Sequence, residues 1–186
     1  PTVSEAEQAL LRHMPELHPT WERLVALTHR DSTTASMLTG WNMPAFAPAC
    51  SQVVVSTGQR ALIRNYDYHP DLFEQVVMAT RFTDRDVVGT SDCLWGLLDG
   101  MNSDGLAISL TFGGARGSGT GFGTPVVGRH LSEVTGTVAE AGAAAPGGAE
   151  PPVAGGTTAA RAVLGGPLRQ RPGMVGLRYS PVSQAD

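Results

Sequence analysis

Residues 49–68 read ACSQVVVSTGQRALIRNYDY. A cysteine stands directly before an alternating apolar run. A Thr-Gly pair at 57–58 marks a turn, and a second run ends in Arg-Asn-Tyr-Asp. A period of two is the mark of a half-buried strand, and a short Gly-containing break between two such runs predicts a hairpin. The stretch therefore predicts strands over SQVVVS (51–56) and RALIRNY (60–66), joined near Thr57-Gly58. A thiol opens the first strand, and an Arg and an Asp return beside it on the second.

The same period continues downstream. EQVVMATRF (74–82) and RDVVGTSD (85–92) read as two more strands. WGLLDGMNSDGLAISLTFGG (95–114) reads as a further hairpin, turned at Asn102-Ser103-Asp104-Gly105. Five or six consecutive strands with short turns predict an antiparallel sheet, so the fold class is α+β. GARGSGTGFGTP (114–125) is a glycine-rich loop. It is no Walker A motif, because the chain has no Lys, and its spacing misses GxGxxG. VVGRHLSEV (126–134) then reads as a helix, and TVAEA (137–141) begins another.

Upstream, residues 4–29 read as two helices. Ser4 with Glu7 forms a capping-box pattern, Leu10, Leu11 and Met14 make an apolar stripe, and Pro15 ends it. Thr20 reads as the cap of a second helix carrying Trp21, Leu24, Val25 and Leu27. Residues 31–49 read as a connector, with Pro44 and Pro48 ahead of the cysteine. From about Gly142 to Asp186 the chain is rich in Ala, Gly, Pro and Arg and shows no period, which predicts a poorly packed or disordered tail. The expected organisation is a helical segment at 1–49, a sheet domain at 50–141 and a low-complexity tail at 142–186.

Composition narrows the function classes. The 186 residues suggest one domain, and the net charge of −4 gives no basic footprint for nucleic acid or an anionic membrane. Cys50 and Cys93 are the two cysteines, and neither a disulfide framework nor a zinc pattern follows from them. The charged residues of the first thirty positions argue against a signal peptide, and no run approaches the roughly 20 apolar residues of a membrane span. The expectation is a cytoplasmic protein with reduced thiols, no metal and no cofactor.

A thiol at the start of a strand suits one chemistry. If the chain is cut before it, Cys50 carries both a nucleophile and a free α-amine, and such an amine serves as a base near neutral pH. Asp67, on the paired strand, is placed to hold that amine. Arg64 is placed to favour the thiolate and to meet a substrate carboxylate or carbonyl. The end of a later strand, at Thr111-Phe112, offers backbone N–H groups to a developing oxyanion.

Six ordered motifs carry a resemblance. They are Cys-Ser-Gln at 50–52, Arg-Asn-Tyr-Asp-Tyr at 64–68, Ser-Asp-Cys-Leu-Trp-Gly at 91–96, Asp-Gly-Met-Asn at 99–102, Gly-Leu-Ala-Ile-Ser-Leu-Thr-Phe-Gly-Gly at 105–114 and Gly-Phe-Gly-Thr-Pro at 121–125. Over about residues 20–141 the chain resembles the penicillin acyltransferase-like family, N-terminal-nucleophile hydrolases related to the choloylglycine hydrolases. The resemblance implies an αββα sandwich, here incomplete, and hydrolysis or transfer at linear, non-peptide amides. It implies a small-molecule amide or acyl substrate and self-cleavage at Ala49–Cys50. By matching position it makes Cys50 the nucleophile, with Arg64 and Asp67 its partners. The family also uses a downstream Asn as an oxyanion donor, and no Asn follows Asn102 here. The alternative expectation is therefore a truncated, non-catalytic remnant. Every basic residue is Arg, and Ile and Asn are scarce, as in a GC-rich gene. Such a gene read out of frame yields Ala, Gly, Pro and Arg, so the tail is expected to be frameshifted or degenerate.

Blander readings stand beside these. Cys93 reads as a core residue in a strand. The five His lack ligand spacing, the Trp residues read as core, and Asn102 with Gly105 reads as turn geometry.

Overall fold

A computed structural model describes residues 1–43, 49–55, 61–112, 120–144, 159–162 and 173–179, with 49, 111–112, 159–162 and 173–179 described by backbone alone. The turn expected at Thr57-Gly58, the prolines Pro44 and Pro48 and most of the glycine-rich loop lie outside the described residues.

The chain opens with three helices, α1 (Val3–His13), α2 (His18–Leu27) and α3 (Ser32–Leu38). The capping box of α1 is Thr2 with Glu5, two residues earlier than the Ser4–Glu7 pattern. Both pairs have the right spacing, and the earlier one wins because it lets the apolar face start at Ala6, Ala9 and Leu10. Leu11, expected in the stripe, is 45% exposed, and Leu27 at the end of α2 is 77% exposed. Helix α2 begins at His18, ahead of Thr20, with Pro19 in its first turn, where a missing N–H costs nothing. Helix α3 lies in the stretch read as a connector. It is seven residues long, too short for a period, and is held by its surroundings. Asp31 caps it by accepting from the Thr34 N–H at 2.7 Å. Two buried indoles then donate to its carbonyls, Trp21 Nε1 to Ala35 O at 2.9 Å and Trp95 Nε1 to Leu38 O at 2.7 Å.

Strands β1 (Ala49–Val55) and β2 (Ala61–Asp67) form an antiparallel hairpin sheet. A second sheet holds β3 (Val77–Thr80), β4 (Val87–Asp92), β5 (Gly96–Asn102) and β6 (Leu106–Phe112), antiparallel in sequence order. The β5–β6 turn falls where expected. Gly105 takes a φ of 85° and donates its N–H to Asn102 O at 2.9 Å. Helices α4 (Thr124–Val134) and α5 (Val138–Ala144) follow. Much of the segment expected to be an unfolded tail lies outside the described residues. Within it, β7 (Ala159–Ala162) and β8 (Gly173–Tyr179) are strands, and β8 runs parallel to β6.

Alternation decides the layers. On one face of the larger sheet, Leu106 and Ile108 join Val126, Val127 and Leu131 of α4 in the core. Leu10, Met14, Leu17, Trp21 and Val25 of the N-terminal segment belong to the same core cluster, and α4 is buried from Thr124 to Glu133. Each such aliphatic side chain contributes about 1.5–3 kcal/mol when fully buried. Asn102 locks this face. Its amide NH₂ donates to Ser132 O at 2.9 Å and Thr135 O at 2.7 Å, and its carbonyl accepts from the N–H groups of Asp104 and Leu106. On the opposite face the hairpin reaches β5 and β6 through side chains. The architecture is α+β: hairpin sheet, main sheet, α4, then the N-terminal helices, consistent with an incomplete αββα sandwich.

Candidate active site

The hairpin register pairs Cys50 with Tyr66, Gln52 with Arg64 and Val54 with Leu62. Partners directly opposite share a face, and this set faces the main sheet. Ser51, Val53, Ile63 and Asn65 alternate outward, with Val53 60% and Ile63 59% exposed.

Arg64 organises the inner face. Its Nη2 donates to Cys50 Sγ at 3.1 Å, and its Nη1 donates to Asp99 Oδ2 of β5 at 2.5 Å. Its guanidinium carbon lies 4.6 Å from the centre of the Tyr66 ring. The side chain is only 6% exposed, and its Nε is buried with no hydrogen-bond partner among the described residues. Asp99 is fixed from its other oxygen by Ser109 of β6, whose hydroxyl donates to Oδ1 at 2.5 Å. The Ser109 hydroxyl also lies 3.0 Å from Gln52 Oε1. One hydroxyl has one proton. If the carboxylate takes it, the Gln52 amide fits better turned, with its NH₂ donating.

Of the residues singled out in the sequence, the fold brings Cys50 and Arg64 together. It does not bring the Asp67 side chain to them. Asp67 pairs with Ala49, one position off Cys50, and its exposed carboxylate accepts from Asn65 on the outer face. The carboxylate beside Arg64 is Asp99. Thr111 and Phe112 are the last two residues of β6, paired with Arg178 and Tyr179 of β8.

Asp99, Ser109 and Gln52 were not singled out. Asp99 carried a signal: it is the one charged residue of GLLDGMN (96–102) and stands directly across from Ser109. Only the pairing of the two strands shows that it meets Arg64.

Cys93 is not in a strand. It occupies the turn after β4 at a φ of 56°, followed by Leu94 at 71°. Glu74 clamps this left-handed pair, accepting from Leu94 N at 2.7 Å and from the Ser91 hydroxyl at 2.8 Å. Burial, then the carboxylates of Asp92 and Glu74, push the Cys93 thiol up to about 12. A thiol so held is a poor nucleophile near neutrality. Burial raises the Asp92 carboxyl, and burial with Asp92 beside it raises the Tyr66 phenol, whose OH donates to Asp92 at 3.4 Å.

No group of three or more His, Cys, Asp or Glu that could hold a metal ion occurs among the described residues. No helix among them is long and apolar enough to cross a membrane.

The stacked sheets, with a thiol facing inward, make this an α+β protein whose layering is consistent with an incomplete N-terminal-nucleophile-like fold. Residues 55–146 match the family model described as acyl-coenzyme A:6-aminopenicillanic acid acyl-transferase, a match that supports the penicillin acyltransferase-like family. The matched span contains Arg64, Asp67, Asp99, Thr111 and Phe112 and begins beyond Cys50. No curated protein and no solved structure matches the chain.

Proposed function

We propose that the chain is a cysteine N-terminal-nucleophile amidohydrolase or acyltransferase acting on linear amides. The observation that carries this reading is the Arg64 guanidinium, 3.1 Å from the Cys50 sulfur, in a chain with an acyltransferase family match. In the proposed cycle the chain is first cut at Ala49–Cys50. Cys50 Sγ then attacks the amide carbon of a small-molecule substrate, and the new α-amine takes the thiol proton. That amine passes the proton to the leaving nitrogen as the C–N bond breaks. Water or a second amine opens the thioester and returns the thiol.

Arg64 offers the sulfur a positive charge, the setting in which a thiolate is favoured. Arg64 is also proposed to meet a substrate carbonyl or carboxylate. Backbone N–H groups near Thr111-Phe112 are proposed as oxyanion donors. Asp67 acts on the amine only if the cut lets its side chain turn from Asn65. No part of this cycle calls on a cofactor, and a cytoplasmic location is part of the proposal.

Intact mass of the purified protein, beside Cys50→Ala, tests the reading. Two fragments dividing between Ala49 and Cys50, absent from the variant, support it. Turnover of a small amide substrate should then fall by at least about 10⁴-fold in Cys50→Ala, since the reacting atom is gone. A single uncut mass in both proteins would favour a non-catalytic relative.

A further inference from the structure

We propose that Asp99 is a positioning residue that holds the Arg64 guanidinium against the Cys50 sulfur. The inference deepens the reading of Cys50 as the nucleophile and rests on it. Arg64 and Cys50 come from the two strands of the hairpin, but the group that aims Arg64 comes from the main sheet. An arginine whose side chain is 6% exposed needs a counter-charge, and Asp99 Oδ2 supplies one 2.5 Å from Nη1. With Nη1 anchored there, the planar guanidinium turns Nη2 toward the sulfur at 3.1 Å. The Tyr66 ring, 4.6 Å from the guanidinium carbon, closes one side. Asp99 itself cannot swing, because Ser109 holds its second oxygen at 2.5 Å. The chain of contacts runs from Ser109 through Asp99 and Arg64 to Cys50, so the distance between the two sheets sets where the positive charge sits.

This arrangement makes a prediction whose sign separates positioning from simple electrostatics. Replacing a carboxylate by an amide removes a negative charge near the thiol. By field alone that change favours the thiolate and speeds its alkylation. If Asp99 acts by holding Arg64, the opposite follows: Arg64 leaves the sulfur and alkylation slows.

The test is the pH dependence of iodoacetamide alkylation at Cys50, read by mass on the Cys50 peptide. It compares the full chain, Asp99→Asn and Arg64→Gln. The expected result is an Asp99→Asn rate at pH 7 about tenfold below that of the parent, with the profile moved up by about one pH unit toward that of Arg64→Gln. A profile unchanged or moved to lower pH, in a variant with the parent's near-UV spectrum, overturns the proposal. Should Asp99→Asn fail to fold, Ser109→Ala decides. It frees only one carboxylate oxygen, so a smaller slowing of alkylation supports the proposal and an unchanged profile overturns it. Alkylation reads the thiol whether or not the chain cuts itself. A failed cut with a slowed Asp99→Asn would sink the enzyme reading and leave Asp99's role standing.

Discussion

Strands β5 and β6 present two faces that differ in kind. Toward α4 they show Leu106, Ile108 and Asn102, whose amide makes four hydrogen bonds inside the fold. Toward the hairpin they show Asp99 and Ser109, which hold an arginine with a buried, unbonded Nε beside a half-buried thiol. A buried donor without a partner costs about 1–3 kcal/mol, so folding alone does not favour it. On the proposed function, the α4 face serves stability and the hairpin face chemistry. Changes on the first should move melting, and changes on the second should move reactivity.

The α4 face has one feature that strains this division, a charged pair inside the helix. Arg129 and Glu133 are 1% and 0% exposed, with Arg129 Nη1 3.6 Å from Glu133 Oε1. Arg129 also donates to Trp95 O at 3.0 Å and to the Thr80 hydroxyl at 2.9 Å, and it lies 5.0 Å from the centre of the Phe82 ring. Glu133 accepts from the N–H and hydroxyl of Thr83. Burial lowers the Arg129 guanidinium from its usual value, and Glu133 opposes that shift. The pair ties the β3–β4 connection to α4. Arg129→Met should cost about 3–5 kcal/mol, because it leaves a buried carboxylate without its cation. Denaturant unfolding measures this. Arg129→Met with Glu133→Leu should recover much of the loss, and Cys50 alkylation should stay at the parental rate while the chain is folded. A loss of Cys50 reactivity in the folded single variant would break the division between the faces.

Asn102 sharpens it. Its amide satisfies two carbonyls at the end of α4 and two N–H groups in the β5–β6 turn. Asn102→Ala should cost about 2–3 kcal/mol, from polar groups left unpaired. Asp99, three residues earlier, points to the other face. Its replacement by Asn should change melting less than Asn102→Ala and alkylation far more. The reverse ranking would mean that the two faces do not divide the work.

These positions also show what a sequence makes legible. The two hairpins and the site's thiol and arginine could be read in advance, because period-two alternation and turn residues act locally. The Asn102–Gly105 turn was legible for the same reason, but the bonds from Asn102 to Ser132 and Thr135 were not, since they cross thirty or more positions. Helix α3 escaped because its support comes from Trp21 and Trp95, both outside it. Asp67 and Asp99 show the limit most clearly. Both stand on strands near the thiol, and the register turns one carboxylate outward to Asn65 and brings the other to Arg64. A one-residue change of register reverses which side chains face inward. Arg129 and Glu133, four apart on α4, are buried because Thr80, Phe82 and Thr83 around the β3–β4 connection and the Trp95 carbonyl close over them, contacts that cross thirty or more positions.

The smallest predicted effect concerns His130, also on α4. Its side chain is 9% exposed, its Nδ1 has no hydrogen-bond partner among the described residues, and Glu16 Oε2 lies 3.9 Å from it. Burial lowers its pKa from the usual 6.5, and Glu16 opposes that shift more weakly. The folded chain therefore resists a proton that the unfolded chain accepts. Above about pH 6.5 both states hold the neutral ring and His130 costs nothing. As pH falls through that value the unfolded state gains a proton first, and stability declines. The melting temperature should fall between pH 7 and 5.5, and His130→Gln should flatten that fall without changing the alkylation profile of Cys50. Equal slopes in the two proteins would mean that His130 protonates freely in the fold. A changed alkylation profile would mean that α4 reaches the thiol through the sheet, and the two faces would have to be treated as one coupled unit.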